Sequence, residues 1–439
     1  MEKVKIQQGL IVVFGVVICL ALVVVAAVAT GHARDKWIGT WAAAPQASPP
    51  GPPQTFRNQS VRLIVHTSAG GAMVRIKLSN AYGSQPLLIS SARIARRTTG
   101  AEIDPASDRK LTFQGQPSTS IAARSMAVSD PVNLDVPALS DLAISLFFPD
   151  ATPATTLHLL ALQTSYLSSE IGDATAQVKF PVAKTITAWP FLTGVEVTAS
   201  PRAATIVAFG SSTTDGDGST EDANRRWPDV LAERLQQNGD KELGVLNEGI
   251  IGNRLLSDSQ SPGQAGGPFA AVYEQIGGML GQAGLARFER DVLAQANVKY
   301  VILALGINDI IFPGSFTPLS KSVSAQSLIA GHRQLIARAR KKGIRVIGTT
   351  IAPFENATFP DPTINFYTAK KESVRQAVNA WIRSSSEFDA VIDFDAVVRD
   401  PSRPTRLLPG YDSGDHLHVN DAGNVAQGKA FPLALFRKH

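Results

Sequence analysis

Strands and helices alternate along the second half of this chain, and this alternation restricts the fold more than any other feature. The run 298–305 is almost continuously apolar, as is typical of a central strand buried on both faces of a parallel sheet. Shorter apolar strands are predicted at 205–209, 244–246, 344–348 and 390–393, with amphipathic helices between them. The pattern predicts an α/β fold in which helices cover both faces of a parallel sheet.

In the first half of the chain, apolar and polar residues alternate with a period of two. Val74, Ile76 and Leu78 alternate with polar residues, which indicates a strand with one buried and one wet face. Several such strands lie at short spacing and predict an all-β sandwich or jelly-roll domain over residues 34–200, with the second domain over 201–439. Packing against the second domain to shape its cleft is the favoured role of the β-domain, and binding of a carbohydrate or polymer is the alternative.

A leader is predicted at residues 1–33. Residues 9–29 form an uncharged apolar run behind Lys3 and Lys5, which resembles a secretory signal peptide and is also long enough to anchor the chain in a membrane. Either reading places the rest of the protein outside the cytoplasm, as a periplasmic, secreted or membrane-anchored protein. Cys19 is the only cysteine and lies inside this run, so the exported part cannot form an internal disulfide.

Composition and charge exclude several other functions. Of the 439 residues 44% are hydrophobic and 18% are charged, with a net charge of +5, and the charges are interspersed, which argues against nucleic acid as a partner. The acidic stretch 215–222 is similar to a calcium-binding loop. An EF-hand loop needs glycine at its sixth position and a carboxylate at its twelfth, and these positions are Thr220 and Arg226 here. No metal and no cofactor are therefore expected.

Four short polar segments follow predicted strands of the second domain. Their sequences are FGSSTTDG at 209–216, NEGIIGN at 247–253, ALGIND at 304–309 and DHLH at 415–418. Ligands of open α/β sheets bind beyond the carboxyl ends of the strands, so these segments are expected to converge. Together they supply a serine, candidate amide donors and an Asp/His pair, which are the parts of an ester-cleaving site.

Histidine is scarce, and this narrows the choice of a general base. His66 and His158 belong to predicted strands of the β-domain, and His332 is predicted at the edge of a helix. Only His416 and His418 lie in a polar loop of the α/β domain. We favour His418, because Asp415 precedes it by three residues and can hold its imidazole on a turn.

Three further positions are candidates for the nucleophile and the oxyanion donors. Ser212 follows the strand 205–209 on a turn of small residues, although a turn serine often only caps the backbone. Gly252 lacks a Cβ and lets a substrate approach its N–H. Asn308 offers a side-chain amide donor beyond the most apolar strand. An asparagine at such a position caps a turn equally often.

These segments in this order resemble the SGNH/GDSL hydrolase superfamily, and the resemblance covers residues 205–435. Longer stretches such as RWPD at 226–229 resemble exported bacterial members that carry an N-terminal β-domain. The resemblance implies a flavodoxin-like three-layer fold, with Ser212 as nucleophile, His418 as general base and then acid, and Asp415 orienting His418. It also implies an oxyanion hole made of the backbone N–H groups of Ser212 and Gly252 and the Asn308 amide.

One position departs from the family pattern, because Ser211 stands where the family usually has an aspartate. That aspartate is not part of the triad, so we expect activity to survive its absence. The expected function is that of an exported serine esterase or lipase-like acyl hydrolase acting on small-molecule, polysaccharide or lipid esters. Acyl transfer to a sugar hydroxyl at the same site and non-catalytic carbohydrate binding at the cell envelope are the alternatives.

Overall fold

The computed structural model describes residues 36–259, 261, 263–358 and 363–436. The predicted leader, including the apolar run 9–29, lies outside the described residues. Within the described part of the chain, no helix is long and apolar enough to cross a membrane.

Residues 36–199, here called the β region, consist almost entirely of strands. The strands are β1 Lys36–Ala42, β2 Gln46–Ala47, β3 Thr55–Phe56, β4 Gln59–His66, β5 Gly71–Ser79, β6 Leu87–Ile89, β7 Ser91–Arg96, β8 Arg109–Lys110, β9 Thr119–Ile121, β10 Met126–Val128, β11 Val132–Val136, β12 Asp141–Phe148, β13 Thr152–Pro153, β14 Thr156–His158, β15 Ser165–Ser168, β16 Val182–Ile186, β17 Trp189–Pro190 and β18 Leu192–Ala199. One 3₁₀ turn is present at Pro105–Ser107.

Two antiparallel sheets of the β region share one core. The first has the order β1-β18-β5-β10, with β11 also paired to β5, and the second has the order β16-β15-β4-β12-β7-β8. Alternate residues of β5 and β4, such as Ile76 and Leu63, are fully buried in the common core, as the period of two predicts. The antiparallel sheets confirm a strand-rich β region, whereas jelly-roll connectivity stays a prediction.

Residues 204–436, here called the α/β region, contain a parallel five-stranded sheet and one small hairpin. The strands are β19 Ala204–Gly210, β20 Leu243–Gly249, β21 Val298–Ala304, β22 Arg345–Thr349, β23 Ala390–Ile392, β24 Arg399–Asp400 and β25 Arg403–Leu407. The sheet order is β20-β19-β21-β22-β23, which is the doubly wound order 2-1-3-4-5 of flavodoxin-like folds.

Helices cover both faces of this sheet. They are α1 Ser212–Asp215, α2 Trp227–Gln237, α3 Ala270–Ile276, α4 Gly284–Phe288, α5 Ile307–Ile311, α6 Ala325–Lys341, α7 Ala369–Ser384, α8 Phe394–Val398 and α9 Asp421–Lys429, with 3₁₀ turns at Gly277–Leu280, Leu319–Lys321, Pro409–Tyr411 and Leu433–Phe436. Val207 and Phe209 face the core shared with α4, α6 and α7. Ile206 and Ala208 face the opposite core with α2. The described residues of the α/β region therefore form three layers.

Three local predictions differ from the structure. The apolar residues of 285–296 lie at helical spacing and predict one helix, but the structure has α4 followed by a π-helical segment, Glu289–Leu293. The glycine-rich segment 257–284 predicts a mobile lid, a cleft wall or a plain surface loop, but it contains the short helix α3. His332 is buried within α6 rather than at a helix edge, because it packs near the rings of Trp381 and Phe388.

The β region and the α/β region contact each other along β1. The Gly39 N–H donates to Thr205 Oγ1 at 3.1 Å, and a Cβ on Gly244 would lie 2.0 Å from the Gly39 carbonyl oxygen. The two backbones can approach this closely only because position 244 is glycine. The domain boundaries stay a prediction, but this contact places the β region directly beside strands β19 and β20.

Candidate active site

The four polar segments predicted from the sequence lie beyond the carboxyl edge of the parallel sheet. Strand β19 ends at Gly210, and Ser212 begins the one-turn helix α1. Asn308 lies in α5, just after β21, and His418 lies in the loop before α9. The fold thus collects these segments at one edge, as expected for ligand sites in open parallel sheets.

Ser212, His418 and Asp415 form a continuous hydrogen-bonded chain. His418 Nε2 lies 2.8 Å from Ser212 Oγ, and His418 Nδ1 lies 2.6 Å from Asp415 Oδ2. Asp415 can only accept when it is ionised, so the proton on Nδ1 points to the carboxylate and Nε2 is left to accept from the serine hydroxyl. This is the tautomer that a general base needs in order to deprotonate a serine.

The Asp415 carboxylate is held by its own loop. Oδ1 accepts hydrogen bonds from the backbone N–H groups of Leu417 and His418 at 2.9 and 2.8 Å. Burial alone would raise the pKa of Asp415, but the hydrogen bond and charge of His418, together with these backbone bonds, lower that pKa well below its ordinary range. Asp415 therefore stays ionised and can stabilise a protonated His418.

A second carboxylate, Asp217, faces the same imidazole. Asp217 Oδ2 lies 3.6 Å from His418 Nε2, beyond hydrogen-bond distance but within reach of its charge. Burial lowers the pKa of His418, but the charge of Asp217 and the hydrogen bond and charge of Asp415 outweigh it, and the pKa is raised overall. Burial also raises the pKa of Asp217. In the sequence Asp217 belongs only to the acidic stretch 215–222, and no pattern there predicts its contact with His418.

Asn308 is positioned to donate into the site. One of its amide protons goes to the Asn253 carbonyl oxygen at 3.0 Å, which fixes the orientation of the amide and leaves the second proton for a ligand. Ser212 and Asn308 line the same cavity. The neighbouring Asp309 carboxylate accepts from the N–H groups of Leu255 and Leu256 at 2.7 and 2.9 Å, which ties α5 to the segment after Gly252.

Gly252 lies in the turn that follows β20, with a left-handed φ of 66°. A Cβ at this position would lie 2.5 Å from a methyl carbon of Leu280 and would force that side chain to shift, and the left-handed backbone itself favours glycine. The next residue, Asn253, accepts from Asn308. The structure therefore brings the Gly252 turn beside Asn308, one of the other candidate oxyanion donors.

Ser211 and His416, the nearby serine and histidine that could replace Ser212 and His418, do not join the hydrogen-bonded chain. Ser211 precedes α1, and it is the hydroxyl of Ser212 that meets His418. His416 has a left-handed φ of 61° and bonds through Nδ1 to Asp412 Oδ2. The His416 side chain is about half exposed, so His416 caps the loop and does not face Ser212.

Sequence reasoning missed a second buried His–Asp pair beside the nucleophile turn. His158 ends strand β14 of the β region, and its Nε2 lies 2.9 Å from Oδ1 of Asp215, the last residue of α1. The two partners are 57 positions apart in the sequence, which gives no local spacing to recognise. Only the assignment of His158 to a strand was available, and a strand histidine by itself predicts no partner.

Comparison with known proteins places this chain in a family. The sequence model of the family of GDSL-like lipases and acylhydrolases matches residues 206–431, which is just over half of the chain. The chain therefore belongs to the GDSL-like lipase/acylhydrolase family. Membership in this family supports a hydrolase that acts on esters.

Similar folds occur among solved structures. The aryl esterase of M. smegmatis is 18% identical, over 52% of this chain and 96% of that one, with a TM-score of 0.38. A GDSL-like lipase of Bacteroides thetaiotaomicron VPI-5482 is 18% identical, over 54% and 90% of the two chains, with a TM-score of 0.34. No curated protein matches the chain. These structures are too distant to bear on the substrate.

Proposed function

We propose that this protein is a serine esterase that cleaves carboxylic esters through an acyl-enzyme on Ser212. The observation that supports it most directly is the unbroken chain from Ser212 Oγ through His418 to Asp415, with distances of 2.8 and 2.6 Å. Ser212 and His418 are 4% and 2% exposed. Such burial strengthens the electrostatic interactions within the chain.

The first half of the reaction forms the acyl-enzyme. Ser212 Oγ attacks the ester carbonyl carbon while His418 Nε2 takes the hydroxyl proton. The negative charge that develops on the carbonyl oxygen would be stabilised by the N–H groups of Ser212 and Gly252 and by the Asn308 amide. The protonated His418 then gives its proton to the leaving alcohol as the C–O bond breaks.

The second half returns the enzyme to its starting state. A water molecule attacks the acyl carbon, and His418 Nε2 takes a proton from that water. Collapse of the second intermediate breaks the bond to Ser212 Oγ, which recovers its proton from His418 and releases the carboxylic acid. A sugar hydroxyl in place of water would make the same site an acyltransferase, and product analysis with a sugar acceptor separates the two reactions.

The cavity beside the nucleophile favours short acyl groups. It has a volume of about 40 Å³ and is lined by Ser212, Asn308 and apolar residues such as Leu305 and Ile351. A buried cavity of roughly 150 Å³ can hold a benzene ring, so an acetyl group fits within this smaller cavity, whereas a long acyl chain would extend beyond it. We expect kcat/KM to be higher for p-nitrophenyl acetate than for the octanoate, and a preference for the octanoate would contradict this assignment.

A fluorophosphonate probe tests the nucleophile. We expect the wild-type protein to become covalently labelled and to hydrolyse p-nitrophenyl acetate, and we expect Ser212→Ala to lose both properties. The adjacent Ser211→Ala is the matched control and should keep both, because the hydroxyl that bonds His418 Nε2 belongs to Ser212. Loss of labelling in Ser211→Ala alone would refute the assignment of Ser212, and a folded, unlabelled wild type would favour a non-catalytic binding protein.

We also propose that the enzyme acts outside the cytoplasm. The support is the uncharged apolar run 9–29 behind Lys3 and Lys5, which has the form of an export signal. Fractionation of cells that express the full chain provides the measurement. Recovery of all esterase activity in the cytoplasm would contradict the proposal.

A further inference from the structure

The buried pair His158–Asp215 joins the β region to the turn that carries the nucleophile. His158 Nε2 lies 2.9 Å from Asp215 Oδ1, and His158 Nδ1 lies 2.9 Å from the carbonyl oxygen of Ala44. The two side chains of the pair are 4% and 2% exposed. This contact is therefore shielded from solvent on both sides.

Both partners of His158 are hydrogen-bond acceptors. A carbonyl oxygen and an ionised carboxylate cannot donate, so both bonds form only when both ring nitrogens carry hydrogen. The charged groups that face the ring are Asp215, which raises the pKa of His158, and Arg226, which lowers it. Burial is the largest effect and lowers the pKa, but the Asp215 charge and hydrogen bond prevail, and the pKa is raised overall.

The second carboxylate oxygen of Asp215 bonds the segment that carries Gly252, a candidate oxyanion donor. Asp215 Oδ2 accepts a hydrogen bond from the Ile251 N–H at 2.7 Å. A Cβ on Gly249 would lie 2.3 Å from the Asp215 backbone nitrogen, so the segment 249–251 packs tightly against helix α1. Gly252 is the next residue, and its N–H is one of the three donors of the proposed oxyanion hole.

We propose that His158 is a positioning residue of the active site: it orients Asp215, which holds the Ile251 peptide and thereby places the Gly252 N–H relative to Ser212. The inference rests on the proposed esterase function. It gives the β region a defined part in catalysis, because one of its side chains sets the geometry of the oxyanion hole. A small displacement of an oxyanion donor costs a large factor in rate.

Two substitutions of His158 separate positioning from bulk packing. The side-chain amide nitrogen of His158→Gln can occupy the place of Nε2 and donate to Asp215, whereas that of His158→Asn can occupy only the place of Nδ1 and donate to Ala44. We expect His158→Asn to lower kcat for p-nitrophenyl acetate about 10- to 100-fold with little change in KM. We expect His158→Gln to recover most of that loss.

A matched control breaks another contact between the same two regions. Gln163 Nε2 donates to Asp222 Oδ1 at 2.6 Å, and Thr164 keeps two bonds to Asp222 when Gln163 is removed. Gln163→Ala should leave kcat within about twofold, because it does not reach Asp215. An equal fall of kcat in Gln163→Ala and His158→Asn, or no rescue by His158→Gln, would overturn the proposal.

Hydrogen exchange gives a readout that does not depend on turnover. We expect the Ile251 amide to exchange faster in full-length His158→Asn than in the wild type or in Gln163→Ala, because its acceptor is no longer held. Unchanged exchange would overturn the positioning role even if activity fell. If the wild-type protein neither hydrolyses esters nor reacts with fluorophosphonate, the proposed function fails, and the exchange experiment still decides whether His158 positions this segment.

Discussion

The two buried His–Asp pairs of this protein differ in what faces the second ring nitrogen. In the pair His418–Asp415 the second nitrogen meets the Ser212 hydroxyl, which can donate. In the pair His158–Asp215 it meets the Ala44 carbonyl oxygen, which can only accept. A neutral ring therefore satisfies the first pair and a charged ring satisfies the second. A histidine paired with an aspartate can thus act as a general base or as a positioning residue. The group bonded to its second ring nitrogen decides which role it has.

The largest expected effect breaks the catalytic pair. Asp415→Asn places an amide donor opposite His418 Nδ1 and favours the tautomer with hydrogen on Nε2, which cannot accept the serine proton. We expect kcat for p-nitrophenyl acetate to fall about 10³- to 10⁴-fold. Asp412→Asn is the control, because Asp412 bonds the neighbouring His416 in the same loop. A similar fall in both variants would mean that the loop fold, and not the tautomer, was lost.

Removing an oxyanion donor is the next largest expected effect. Asn308→Ala should lower kcat about 10²- to 10³-fold, with a smaller change in KM, because the amide acts on charge that develops only in the transition state. The double variant Asn308→Ala with His158→Asn tests whether the two residues act on the same oxyanion hole. If His158 acts through the oxyanion hole, the two losses should not add in free energy. Full additivity would place His158 outside that machinery.

The carboxylate of Asp217 provides a test of the charge around the catalytic ring. Asp217 raises the pKa of His418, and the base must be neutral to accept the serine proton, so activity rises as pH passes that pKa. We therefore expect Asp217→Asn to move the acidic limb of the kcat/KM profile to lower pH. Glu221→Gln, an exposed change in the same loop, should leave the profile in place. A shift to higher pH would contradict the role given to Asp217.

The smallest expected effect concerns stability. The pKa of His158 is raised in the folded state, so the stability that this group contributes is complete below its unfolded pKa and is lost as pH rises through the folded value. We expect the Tm of the wild type to fall more from pH 6 to pH 9 than that of His158→Gln, by about 1–4 °C. Equal slopes in the two proteins would show that His158 carries no charge in the folded state.

The sequence predicted those parts of the site that depend on local order. Asp415 and His418 are three residues apart, and Ser212 and Asn308 each follow an apolar strand, so pattern and spacing were enough to nominate them. The parallel sheet followed from the alternation of strand and helix for the same reason. The burial of His332 and the helix α3 were not predicted, because both depend on packing against distant residues and not on local propensity.

The amino-acid sequence by itself predicted the parallel sheet and the order of the polar segments along its edge, since both depend on periodicity, and its resemblance to a known family nominated Ser212, His418 and Asp415. Tertiary structure alone decided that His158 meets Asp215 and that Asp217 faces His418. These contacts depend on how the β region packs against the nucleophile turn and on how one loop folds over another. A short-range pattern carries no information on either distance, because the partners are brought together only by the packing of the whole chain.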